Sequence, residues 1–217
     1  MKKKPAKPPV HRPVGRPPLD AADRKRILDA TAEVFLEHGF ERASTAEIAR
    51  RARTSKQTLY QLFPSKAELF VAVIGSHTEQ LFVRHNEYLA SDKPPRVALG
   101  EMAYSILKLF TAPDFLSLYR ILVAEAQNFP ELARQLWLHS TVRGHALLAE
   151  YLRSRRIGGP DYRKTAPRFL SFVLGDYLVN VMLNPDLQLS DRALRARARQ
   201  AVDDFLVLHP ARGAKKA

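Results

Sequence analysis

The spacing of apolar positions along the chain predicts helices and no sustained strand. Ile27, Thr31, Val34, Phe35 and His38 recur at intervals of three and four and so share one helical face; Asp20 is placed to cap that helix, Asp23 lies in its first turn and Gly39 is its expected stop. Ser44-Thr45-Ala46-Glu47 reads as a capping box opening a helix of about two turns through Ile48-Ala49-Arg50-Arg51-Ala52. A third short segment runs from Ser55 through Phe63 to Pro64, and Ser65-Lys66-Ala67-Glu68 repeats the capping pattern before a longer helix reaching toward Asn86. Two short helices between two long ones is the resulting order. Proline and glycine then punctuate the rest: Pro94-Pro95 opens a segment through Leu109, Pro113 precedes one from Asp114 to Asn128, and Pro130 opens a long one ending before Gly158-Gly159. Asp161 or Thr165 leads into an apolar segment closing at Asn184-Pro185, and Ser190 begins the last, which ends before Pro210. Apolar and polar residues never alternate for more than a few positions, so the expected class is all-α, with about nine helices.

Composition sharpens this picture where it is uneven. The 217 residues carry 35 Lys and Arg against 22 Asp and Glu, a net charge of +13, and 46% are hydrophobic, enough to bury a substantial core. Residues 1–18 form a basic, proline-rich segment with Lys2, Lys3, Lys4, Lys7, Arg12 and Arg16 and no acid, which predicts a flexible arm. The end, 210–217, is a short basic tail with Arg212, Lys215 and Lys216. A third concentration lies within the fold itself, where Arg42, Arg50, Arg51, Arg53, Lys56 and Lys66 face Glu47 alone across positions 42–66. With no cysteine, disulfides and thiolate metal sites are excluded. No run of apolar residues reaches membrane-spanning length, and prolines rather than an apolar stretch follow the first lysines, so neither a membrane span nor a secretory signal is expected and the cytoplasm is the expected compartment.

A two-turn helix, a tight turn and a second short helix, braced by longer neighbours, is the geometry that presents a helix to the DNA major groove. Ile48, Ala49, Leu59 and Phe63 suit a small core, while Ser55, Lys56, Gln57, Thr58, Tyr60 and Gln61 offer donors, acceptors and a phenol to bases and phosphates. Thr45 and Lys66 stand at helix N-termini, where backbone amides favour anions, and Arg53 adds charge in the turn. In the arm, Val14-Gly15-Arg16-Pro17-Pro18 could insert Arg16 into a minor groove. The plain structural alternative for Tyr60 is packing beside Phe63, and for Arg50, Arg51 and Arg53 a solvated face.

Residues 15–75 resemble the DNA-binding domain of TetR-type bacterial transcriptional regulators. The resemblance is carried in order by Arg26-Ile27-Leu28-Asp29-Ala30, Phe35, Gly39-Phe40, Glu47-Ile48-Ala49, Ser55-Lys56-Gln57-Thr58-Leu59-Tyr60, Phe63, Ser65-Lys66 and Leu69-Phe70. Phe115 to Arg153, including Tyr119-Arg120-Ile121-Leu122-Val123-Ala124-Glu125-Ala126 and Phe129-Pro130-Glu131-Leu132, is similar to the C-terminal domain of the AefR-like subgroup. The resemblance implies a helix-turn-helix domain over 19–66, a ligand-binding and dimerisation domain over 67–209, and a homodimeric repressor that leaves an inverted-repeat operator when a small apolar or amphipathic effector binds, nucleoid-associated when on DNA. Two positions depart from the family pattern: Arg53 stands where a glycine is usual in the turn, and Gln61 where histidine is common. A left-handed backbone at Arg53 would carry an energetic cost.

For the larger domain, polar residues set among apolar ones are the candidate pocket: Tyr104, Arg120, Glu125, His139, Tyr177 and Asn180. The resemblance implies a four-helix dimer interface drawing on Phe169, Phe172, Val173 and Asp176 from one helix and Val202, Phe205 and Leu206 from the last, with internal core as the competing reading. Enzymatic motifs are missing: no phosphate-cradling glycine loop and no HExxH pair, while His77/His85 and His139/His145 lack the spacing of paired ligands on one helical face, so neither a metal nor a cofactor is expected. The remaining rival is an architectural protein that binds DNA through its basic tails without reading sequence.

Overall fold

The computed structural model describes residues 21–184, 186–187 and 189–211. Asp20, Arg16 with the rest of the arm, and the tail cations therefore lie outside the described residues. Among the described residues ten α-helices follow one another: α1 (Ala21–Arg42), α2 (Thr45–Arg51), α3 (Lys56–Leu62), α4 (Lys66–Ala90), α5 (Pro95–Thr111), α6 (Pro113–Glu125), α7 (Pro130–Leu136), α8 (Arg143–Ser154), α9 (Tyr162–Leu183) and α10 (Asp191–Leu208). A π-helical turn over Trp137–Val142 joins α7 to α8 without a break, so the segment expected as one long helix after Pro130 is one rod with a wider turn in its middle. Among the described residues no strand forms; Ile157 and Ala211 make an isolated antiparallel bridge.

Capping explains most of the boundaries. Ser55 accepts a hydrogen bond from the Thr58 amide at 2.9 Å, Ser65 from Glu68, Asp161 from Lys164 and Ser190 from Ala193. The box expected at Ser44 does not close: Ser44 makes no side-chain cap, and the Glu47 carboxylate that would complete it is held by Arg51 at 2.6 Å. Gly39 takes φ 72° as a stop would, yet helical turns resume through Arg42.

The first four helices share a core of Ile27, Val34, Phe35, Ile48, Leu59, Leu69 and Phe70, all inaccessible to solvent. Phe35, Phe40 and Phe70 form an aromatic cluster with centroids 5.0–5.7 Å apart. Phe70 belongs to α4, so the expected boundary at residue 66 passes through a shared core, and α4 continues as a wall of the second domain. There α10 packs along α5 and α9, and α8 along α9. Phe169 and Phe205 meet edge-to-face at 5.2 Å in its centre.

Candidate nucleic-acid interface and apolar chamber

The turn between α2 and α3 is set by backbone bonds. The Arg53 amide donates to the Arg50 carbonyl at 3.1 Å and the Thr54 amide to the Ala49 carbonyl at 2.9 Å, the paired closure of a helix that ends in a left-handed residue. Arg53 is that residue, with φ 49°, so the turn keeps the shape a glycine would favour and carries the strain of a side chain there. From the opposite side the Arg26 guanidinium donates to the Ala52 carbonyl at 2.9 Å. Arg51, expected on a solvated face, instead braces α2 against α1, with bonds of 2.6 Å to both oxygens of Glu37 and to Glu47. That contact holds the Glu37 carboxyl below its ordinary range. Glu37, His38 and Glu47 have donor atoms close enough to hold a cation, but the Arg51 guanidinium already pairs with both carboxylates.

Beyond this turn, α3 presents Lys56, Gln57, Tyr60 and Gln61 to solvent, with Arg53 and Ser55 exposed beside them. The Tyr60 hydroxyl is 3.0 Å from Thr45 Oγ1, so the phenol stands clear of Phe63 and bridges to the start of α2. Thr58 is half-buried and its hydroxyl lies 2.8 Å from Ser55 Oγ, inside the cap rather than on the free face. The Lys66 ammonium donates to the Glu41 and Ala43 carbonyls at 2.7 and 3.4 Å and sits over the Phe40 ring, fastening α4 to the end of α1.

The second domain encloses a cavity of about 450 Å³, within the range of small-molecule sites. Helices α4 to α9 and the π-helical turn contribute to its walls, and exposed Val123 and Trp137 mark its mouth. None of the six residues expected as pocket contacts lines it. Arg120 caps the end of α9 by donating to the Val181 and Met182 carbonyls. Tyr104 bonds Asp191 beneath the Arg195 guanidinium at a separate small cleft. Glu125 pairs with Asn128, His139 and Asn180 are exposed, and Tyr177 is buried elsewhere. The polar residues that do line the cavity are Thr78, His85, Tyr119, Ser140, Thr141 and His145. His85 and His145 were noted in the sequence only for spacing, and no polar periodicity singled them out among apolar neighbours.

Of the expected interface positions, Phe169, Val173, Val202 and Phe205 are fully buried inside the protomer and have no surface to offer a partner. Phe172 and Leu206 are half-buried and Asp176 is exposed, though it is paired with Arg197. What the sequence reading missed is a continuation of that face: Val179 and Leu183 follow Phe172 and Asp176 at helical spacing, with Leu183 75% exposed, and Val207 at the end of α10 is 78% exposed.

A helix-turn-helix head joined by a shared helix to an all-helical domain with an apolar chamber defines a class of two-domain regulatory proteins. Residues 27–73 match the family model for bacterial regulatory proteins of the tetR family, and residues 97–209, more than half of the chain, match the AefR-like transcriptional repressor C-terminal domain. The chain belongs to the TetR family, with a C-terminal domain of the AefR-like kind. It is 47% identical over 58 residues to the HTH-type transcriptional activator FasR of Mycolicibacterium smegmatis, covering 27% of this chain and 26% of that protein. Alignments with such curated relatives reach from a quarter to somewhat over half of their length. Among solved structures, a TetR-family regulator from Mesorhizobium loti superposes with a TM-score of 0.76 at 25% identity over 87% of this chain and 97% of that one. The flavonoid-responsive regulator FrrA superposes with a TM-score of 0.68 at 27% identity over 89% of this chain and all of that one. No helix among the described residues is long and apolar enough to cross a membrane.

Proposed function

We propose that the protein is a sequence-specific DNA-binding transcriptional regulator that works as a homodimer, represses from an inverted-repeat operator and is released by a small molecule held in the chamber. The observation that carries this reading is the α3 face: four polar side chains on a seven-residue helix, exposed, with their backbone preset by the Arg53 turn and the Ser55 cap. Arg53, Ser55, Lys56 and the Thr45–Tyr60 pair are suited to phosphates, and Gln57 and Gln61 to base edges. Thr58 offers mainly its methyl group for thymine contact, and Lys66, which fastens α4 to α1, keeps an unneutralised charge for a phosphate. Arg16, outside the described residues, keeps its expected role in a minor groove.

The link to the chamber is α4. Lys66, Leu69 and Phe70 at its start belong to the head, while Ile74, Thr78, Phe82 and His85 further along line the cavity. A ligand that prefers one placement of α4 thereby biases the spacing of two heads across a dimer axis. The dimer is built on Phe172, Val179 and Leu183 of α9 and Val207 of α10; Leu183→Glu is expected to give monomers in sedimentation velocity.

Titration of a selected operator against random duplex at fixed salt tests the DNA reading. A regulator prefers its operator by about a thousandfold or more, and an architectural binder does not. Gln57→Ala should alter preference at one operator position, whereas Tyr60→Phe should weaken all duplexes alike. Equal affinity for operator and random DNA overturns the proposal. Deleting the gene should raise transcripts beside the operator if the output is repression, and lower them if it is activation.

A further inference from the structure

The chamber has a chemical bias as well as a volume. Among the described residues that line it, none carries a formal charge, so a carboxylate or phosphate entering it would lose its hydration without gaining a counterion. Its polar groups are also uneven in what they offer. His85, buried on α4, has Nε2 2.8 Å from the hydroxyl oxygen of Ser105, and that hydroxyl donates its proton to the Met102 carbonyl, also at 2.8 Å. A serine hydroxyl has one proton. With that proton on the Met102 carbonyl, the hydroxyl accepts from Nε2–H of His85, the tautomer that leaves the lone pair on Nδ1. That Nδ1 is buried with no partner, and so is Nε2 of His145 on α8. Buried polar atoms without partners are rare in folded proteins.

Two of the four hydroxyls among the lining residues lean the same way. Thr78 donates to the Gly75 carbonyl and Ser140 to that of Leu136, so each keeps lone pairs but no free proton. Together with His85 Nδ1 these are acceptors without a proton of their own, set beside the Tyr119 and Thr141 hydroxyls and the Trp137 indole N–H, which can donate. Between these groups stand stacked and edge-on rings: Phe110, Phe115 and Tyr119 lie 5.2–6.1 Å apart, and Trp137 closes the mouth.

We propose that the effector is an uncharged aromatic alcohol of the phenol type, whose hydroxyl donates to His85 Nδ1 while its ring system lies among Phe110, Phe115 and Trp137. The inference rests on the reading of this cavity as the effector chamber and adds the chemical class. Burial supports it by pushing the His85 pKa down to about 4 and lowering that of His145, which leaves both rings uncharged at neutral pH and unable to greet an anion.

Three matched probes test the class on the full chain: 4-phenylphenol, which can donate; 4-methoxybiphenyl, which can accept but not donate; and biphenyl-4-carboxylate, which is charged. Trp137 is the chain's one tryptophan, so its emission reports occupancy alongside calorimetry. The phenol is expected to bind roughly tenfold tighter than the ether and the carboxylate. His85→Phe should abolish that advantage while leaving ether affinity unchanged, and Ser105→Ala, which frees the ring to take its other tautomer, should shrink it. If His85→Phe fails to fold, the wild-type series and Ser105→Ala decide. Equal or tighter binding of the ether or the carboxylate overturns the proposal and leaves the chamber standing as an effector site. Failure of all three probes to bind overturns both.

Discussion

The head and the chamber domain hide their chemistry in opposite ways. In the head, most of the residues proposed to meet DNA are polar and exposed, on or beside one short helix. In the chamber domain, the residues around the cavity are apolar, and nothing in their types separates a wall from a core. Phe169, which lines the cavity, and Phe205, which packs against it, have the same burial and the same periodicity. A surface for a polyanion announces itself as unbalanced charge; a site for a neutral molecule is legible only as missing volume, which a linear pattern does not encode.

The same deletion in each region should break this contrast if it is wrong. Leu59→Ala, in the head core, should cost about 3 kcal/mol in denaturant unfolding, because the fully buried site must keep a void. Leu122→Ala, facing a void that already exists, should cost only about 1 kcal/mol. Equal losses would show the chamber to be as tightly filled as the head.

Acid should weaken the chamber domain through His85. In the unfolded chain it binds a proton below its ordinary value of 6.5, whereas burial holds it neutral in the fold until about pH 4. Its depressed pKa means that stability is complete above pH 6.5 and falls as pH drops through that window, by about 3 kcal/mol at the lower end. Comparing unfolding of wild type and His85→Phe from pH 7 to 4 isolates this contribution, since His77 and His145 shift in the same direction in both proteins.

Smaller effects probe the head alone. Arg53→Gly should relieve the left-handed strain and raise stability by about 1 kcal/mol while lowering DNA affinity, a pairing of opposite signs that thermal melts and duplex titration would read together. Ser55→Ala and Ser65→Ala should each cost about 1 kcal/mol, whereas Ser44→Ala should be close to neutral, because its side chain caps nothing.

The order of helices was legible because proline, glycine and capping residues mark ends by local chemistry. Ser190 caps where the sequence placed it, and of the two starts left open, Asp161 and Thr165, it is Asp161 that caps α9. The box at Ser44 was misread because Glu47 had a stronger partner, Arg51, whose own tie to Glu37 crosses from another helix and leaves no trace in local spacing. The tie of Lys66 to α1 was hidden for the same reason: its carbonyl acceptors lie 23 and 25 residues earlier. The π-helical turn at Trp137 follows from no propensity in the six residues that form it, and the exposed apolar stripe of α9 differs from its buried one by an angle about the helix axis that only packing fixes.

Phe129, in the loop between α6 and α7, packs edge-on to Phe40 at 4.7 Å, so one wall of the head's aromatic cluster is supplied from the other domain. The head is consequently not a detachable module. Anyone grafting it onto a foreign sensor would have to carry along the start of α4 for Phe70 and a substitute for that distant ring, or accept a reading unit whose greasy underside is open to water.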